Sequence, residues 1–195
     1  MTIKKGEPWG SPAAPPDDAV RVDNDRAISL SLDEARKEGR PFPRFAITGG
    51  DLGRTLAASD SPRNRFTIDV GEALVDGLHR YFISHVVARH RGWRDAAVVM
   101  NAQWLGTWNL GPKSHPNDGL LDVSEFSLNR FEWHKVRSRL ESGTHLPHPR
   151  IETKRTAATS FEFARPATVF VDGAEVGTAR TLAVRIIPDA LTVYA

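Results

Sequence analysis

Residues 160–195, SFEFARPATVFVDGAEVGTARTLAVRIIPDALTVYA, alternate apolar and polar side chains along SFEFA, TVFV, TLAVRI and ALTVYA, with RP, DG and PD between the runs. A period of two marks a strand with one buried face, and Asp-Gly is a two-residue hairpin signal. The spacing predicts closing strands near 168–172, 180–187 and 190–194. Upstream the pattern continues. RFTIDVG puts Phe66, Ile68 and Val70 on one face, with Thr67 and Asp69 on the other. DGLHRYFISHVVA follows another Asp-Gly, and AAVVMNAQWLG is a further apolar run. SLNRFEWHKVRSRLESG is the helix candidate of this half, with Leu128, Phe131, Val136 and Leu140 along one face and Gly143 as its stop. Residues 61–195 therefore read as a β-sandwich-like domain.

The first 60 residues read differently. Residues 1–19 carry four prolines and no apolar period, the signature of an extended arm. VRV (20–22) starts a strand. SLSLDEARKEG predicts a short helix capped by Ser29 or Ser31 and ended at Gly39. RFAITGGD is a buried strand entering a glycine turn, and RTLAAS a helix start. The predicted fold class is α+β and β-rich: a small α/β segment over 1–60, then the sandwich-like domain over 61–195.

Composition narrows the function classes. A chain of 195 residues can bury a substantial core. The absence of cysteine excludes disulfides, thiolate metal sites and cysteine nucleophiles. The longest apolar runs fall short of the ~20 residues that span a bilayer, and no apolar segment follows MTIKKGEPWG, so a cytoplasmic protein is expected. The formal charge is +2 with the basic residues dispersed, which points to a solvated surface and away from nucleic acid.

Three stretches carry chemistry. In ITGGDLGRT (47–55), Gly49 and Gly50 let the backbone approach a ligand, and successive amides beside Asp51 can cradle phosphate oxygens. The same residues also suit a plain strand-to-helix turn. In HPNDGLLDV (115–123), Asp118 and Asp122 flank a turn that could hold a hard cation, or could be an ordinary hairpin turn. In VFVDGAEVG (169–177), Asp172 and Glu175 are carboxylates beside a tight turn. Taken in this order, with NAQWLGTWNLGPKS before the second and HPRIETKRT leading into the closing strands, the stretches resemble the diacylglycerol kinase and bacterial lipid kinase family, distant relatives of NAD kinases. The resemblance covers about residues 45–195.

That resemblance implies a transferase that moves the γ-phosphate of ATP to a diacylglycerol-type lipid with Mg²⁺. Gly49, Gly50 and Asp51 would bind the nucleotide. The Asp118 side chain and the main-chain oxygens of His115 and Leu120 would hold the metal. Asp172 or Glu175 would act as catalytic base. The sequence departs from the family in four places. Leu52 intervenes in the glycine turn, and Ala174 stands where the family has the Glu that serves as base. KKGEPWGSP replaces the nucleotide-binding Asn-Pro segment, and RHRGWRDA replaces a long helical insertion. Successive strand residues face opposite ways, so the displacement from Ala174 to Glu175 can turn the carboxylate away, and a bulge could restore it. The alternative is a non-catalytic nucleotide-, lipid- or protein-binding module that keeps the kinase fold. Expected partners are a nucleotide, a lipid, a membrane surface touched peripherally, and a second copy of the chain as a homodimer. His134, His145 and His148 suggest a metal but lack a recognisable ligand spacing and read as loop histidines. Trp93, Trp104, Trp108 and Trp133 suit a lipid pocket, a core or an interface.

Overall fold

A computed structural model of the chain describes residues 9–90 and 92–195. The start of the expected arm, with most of KKGEPWGSP, lies outside the described residues, as does Arg91 of RHRGWRDA. The elements are β1 (Ser11–Pro12), β2 (Val20–Val22), α1 (Asp25–Lys37), β3 (Phe45–Ile47), α2 (Gly50–Leu56), β4 (Asn64–Val75), β5 (Leu78–Phe82), β6 (His85–Arg89), β7 (Asp95–Met100), β8 (Leu121–Ser127), α3 (Arg130–Arg137), β9 (Ile151–Thr156), β10 (Ala158–Val171) and β11 (Ala174–Tyr194). The sheet runs β1-β4-β11-β10-β6-β7-β8-β9, with β5 on β4, β3 on β11 and β2 on β3. Among the described residues only the β2–β3 and β3–β11 pairs are parallel. No described helix is long and apolar enough to cross a membrane.

β11 is the spine of this arrangement. It pairs with β4 from Leu182 to Tyr194, with β10 from Ala174 to Arg185, and with β3 at Val193 and Tyr194. The expected strands at 180–187 and 190–194 are therefore one strand, and PD does not break it. The ladder to β4 shifts register between Ile187 and Leu191, and Asp189 has φ 53°. RP in β10 is likewise a shift, between Glu162 and Ala167. Proline has no N–H to give a ladder, so both prolines are taken up as irregularities within continuous strands.

The period-two pattern divides the strands between cores. Val86 and Ala88 of β6, and Ala97 and Val99 of β7, join Phe82, Leu121, Val169, Leu182 and Val184 in one apolar cluster. The intervening Val87, Val98 and Met100 face the other way and pack with Phe126, Val136, Leu140 and the tryptophans Trp93, Trp108 and Trp133. A further cluster joins Ile28, Leu32, Phe45, Ile47 and Leu52 to Ile68, Val70, Leu191 and Val193. The β-rich class read from the alternation is what the chain adopts.

Two helix expectations need correction. α1 begins at Asp25 and is capped by Asn24, whose side chain accepts a 2.9 Å bond from the Ala27 amide, so Ser29 lies within the helix and is no cap. α3 has an Asn129/Glu132 capping box, and its Phe131 is 79% exposed, off the apolar face that Leu128, Val136 and Leu140 do share.

Gly71 pairs with Phe82 across β4 and β5, and a Cβ at Gly71 would lie 2.1 Å from the Phe82 ring. Phe82 is wholly buried and cannot swing out. Gly71→Ala should cost about 1–3 kcal/mol as overpacking, read as a lower urea midpoint with unchanged slope.

Candidate functional site

The site is built around the β10–β11 turn. Asp172 and Gly173 have φ values of 44° and 78°, the left-handed pair that a two-residue hairpin of right-twisted strands requires. The turn pushes the Asp172 carboxylate into the protein. It accepts the amides of Ile83 at 2.8 Å, Ser84 at 2.9 Å and His85 at 3.0 Å, together with the Ser29 hydroxyl. The Asp172 amide donates back to the His85 carbonyl at 3.0 Å. Asp172, expected as a catalytic candidate, is thus 7% exposed with its lone pairs committed to the backbone. A carboxylate so engaged has no free geometry for taking a proton from a substrate.

Asp25, Ser29 and Asp33 lie four apart on the buried side of α1. Asp33 accepts the Tyr81 amide at 3.0 Å, and Ser29 serves Asp172. Asp25 accepts the amides of Asp51 at 2.9 Å and Leu52 at 3.2 Å, and the Ser84 hydroxyl at 2.7 Å. These are amides of the glycine turn, so the protein's own carboxylate sits where a phosphate oxygen was expected. The glycines have a local cause as well: a Cβ at Gly49 would lie 2.5 Å from the Asp23 carbonyl oxygen, and one at Gly50 2.3 Å from the Asp25 carboxylate. Burial, reinforced by the charges of Asp172 and Asp51, raises the Asp25 pKa to about 7.

Beyond the turn, the Asp51 carboxylate accepts the Gly106 amide at 2.7 Å and lies 3.6 Å from Nδ1 of His85. Burial raises the Asp51 pKa and lowers that of His85, so the ring is neutral near pH 7. His85 is 2% exposed, and its Nδ1 has no hydrogen-bond partner among the described residues. It is followed on the same face of β6 by Val87 and Arg89, and Phe170 of β10 lies across from Val87. Glu175 pairs with Phe170, so it faces the same side, exposed, while Ala174 pairs with Val171 on the opposite face. A bulge follows at once, since Val169 pairs with Gly177. The structure therefore brings Asp51, His85 and the Glu175 strand position to one side of the sheet and keeps Asp172 beneath.

The HPNDGLLDV turn lies elsewhere in the fold. Asp69 of β4 pins it by accepting the Gly119 amide at 2.7 Å and the Asp189 amide at 2.9 Å. One Asp118 oxygen accepts the Leu120 amide at 3.0 Å, and the other meets the Arg155 guanidinium. Arg155 Nε, on β9, also lies 3.0 Å from Asp122, its register partner on β8. The two carboxylates thus surround a cation that the chain supplies itself. With both Asp118 oxygens engaged, this arrangement does not fit the magnesium ion implied for Asp118 and the carbonyls of His115 and Leu120. Among the described residues no group of three or more His, Asp or Glu gathers as a metal site, the loop histidines included.

Sequence reading singled out Gly49–Asp51, Asp172 and Glu175 but passed over Asp25, His85 and Arg89. The missed signal for Asp25 is its repeat with Ser29 and Asp33, which imitates a solvated helix face.

Residues 74–195 match the sequence profile described as the YegS C-terminal NAD kinase beta sandwich-like domain. The chain belongs to that family. No curated protein sequence gives a significant match. Among solved structures, a "putative diacylglycerol kinase" from Bacillus anthracis str. Sterne superposes with a TM-score of 0.64 at 17% identity, over 91% of this chain and 77% of that one. A second structure, described as a diacylglycerol kinase of the same organism, gives 0.51 at 17% identity over 79% and 68%. At such identity the likeness establishes the fold. This YegS-type domain is accordingly a distant relative of the diacylglycerol and bacterial lipid kinases, as its three motifs imply.

Two outcomes test the site. Because the Asp25 pKa is raised in the folded state, its contribution to stability is present below the ordinary aspartate range and is lost as pH rises towards about 7. Asp25→Asn removes that titration, so melting temperatures across pH 4 to 8 should show the variant gaining on the wild type as pH rises. A constant difference would contradict this. At the second turn, EDTA should leave the wild-type melting temperature unchanged. Arg155→Ala should lower it by an amount equivalent to about 1 kcal/mol, a figure held down by the exposure of Arg155.

Proposed function

We propose that this chain is a ligand-binding module of the lipid-kinase fold that no longer transfers phosphate. One observation supports this above the others: the Asp25 carboxylate occupies the Asp51 and Leu52 amides of the glycine turn. Phosphoryl transfer depends on positioning and on neutralising charge at the phosphates. A carboxyl group seated on those amides blocks them and, when ionised, would repel a triphosphate. The commitment of Asp172 to backbone amides and the presence of Ala174 in place of a carboxylate agree with the same reading. Losing a general base alone costs roughly 10²–10⁴-fold in rate.

A second reading keeps the enzyme. Glu175 is exposed on the face shared with His85, and Asp51 keeps part of its side chain open to solvent. In that reading Asp25 leaves the turn, Gly49, Gly50 and Asp51 receive ATP with Mg²⁺, and Glu175 takes the proton of a lipid hydroxyl.

Calorimetric titration with ATP and Mg²⁺, together with a phosphorylation assay on diacylglycerol in mixed micelles, separates the two. The module reading expects neither saturable ATP binding nor turnover by the wild type, and a gain of ATP binding in Asp25→Ser, which uncovers the amides. Turnover by the wild type that is lost in Asp51→Ala would overturn it.

A further inference from the structure

The face of β6 that carries His85 opens into a cleft of about 200 Å³, lined by His85, Val87, Arg89, Trp93, Leu105, Phe170 and Gly173. Arg89 decides what this cleft can hold. Its guanidinium carbon lies 4.3 Å from the Phe170 ring centroid and 5.5 Å from that of Trp93. Among the described residues no carboxylate forms an ion pair with it and no acceptor takes its N–H groups. A guanidinium covered on its faces by aromatic rings keeps its donors in the ring-free plane, the geometry that grips an oxyanion at two points. Arg89 itself is half-buried. At the inner end sits His85, whose enclosed Nδ1 is turned towards the Asp51 carboxylate at 3.6 Å.

We propose that this cleft binds an organic anion bearing a single phosphate group, with the oxyanion against Arg89 and an apolar portion against Trp93, Leu105 and Phe170. The volume supports a small group: sites for whole drug-sized ligands run to roughly 300–1,000 Å³, so a complete nucleotide does not fit. The surrounding charges support a single phosphate. Asp51 lies 3.6 Å from His85, and Glu175 stands on the same face one strand beyond Phe170. Their carboxylates would oppose a polyphosphate while Arg89 offsets a single group. The inference deepens the module reading by naming its ligand class. The same chemistry occurs in a soluble aryl or alkyl phosphate and in the head group of a phosphatidic-acid-type lipid.

Tryptophan fluorescence provides the test, because Trp93 lines the cleft. The wild type is titrated with phenyl phosphate, with inorganic phosphate, and with phosphatidylcholine vesicles prepared with and without phosphatidic acid. Saturable binding of phenyl phosphate that exceeds that of inorganic phosphate supports the soluble source. Binding confined to vesicles containing phosphatidic acid supports the lipid source. In either case Arg89→Gln should weaken binding by about tenfold or more, as loss of charge-assisted hydrogen bonds does. Arg89→Lys, which keeps the charge but not the fork, should fall between, and it carries the test if Arg89→Gln fails to fold. No saturable response to any of these probes, or equal affinity in the wild type and the Arg89 variants, overturns the proposal. The ATP assay stays separate: turnover with an intact phenyl phosphate site would defeat the module reading and leave this one standing.

Discussion

The carboxylate of Asp172 ties together parts of the chain that are far apart in sequence. It sits in the β10–β11 hairpin, takes the amides that join β5 to β6, and receives the Ser29 hydroxyl from α1. An anion buried among hydrogen-bond donors is strongly held, and removing it would leave those amides without acceptors in the interior. Because His85 is one of the residues it fixes, the depth of the cleft follows from the same contact. α1 is held against the sheet by this polar stripe as well as by Ile28, Leu32 and Ala35 on its apolar side.

The ancestral motifs have been kept in outline and refilled from within. At the glycine turn an aspartate stands on the amides; at the HPNDGLLDV turn an arginine stands between the carboxylates. In both places a charged group of the protein itself is seated in the turn. The cleft at Arg89 is of the opposite kind, with a charged group presented and no internal partner among the described residues.

The β-rich class was legible because alternation dictates which side chains are buried whatever the neighbours do. SFEFA, TVFV and TLAVRI could be placed from their period alone. Their junctions could not, because Arg165-Pro166 and Pro188-Asp189 look like turns but are irregularities inside long strands. The family was legible from three short motifs, while the state of its site was not. Asp51 and Asp172 carry the right names in the right order, yet their roles depend on Asp25 and on three amides at 83–85, contacts made across more than twenty residues of chain. Asp25, Ser29 and Asp33 illustrate the limit most clearly: polar residues at helical spacing signal solvent, and here they face the interior.

The open sheet has consequences for how copies of the chain can meet. Its path ends on one side at β1, a two-residue strand that includes Pro12, and on the other at β9, where Glu152, Thr153, Lys154 and Arg155 are exposed. Proline offers no amide to an incoming strand, and charges along an edge must be desolvated before another chain can add. Both ends are therefore guarded against edge-to-edge polymerisation and amyloid-like growth. Strand addition at β1 or β9 is thereby disfavoured, which leaves β2 and β5, each paired on one side, as the edges where another strand could add.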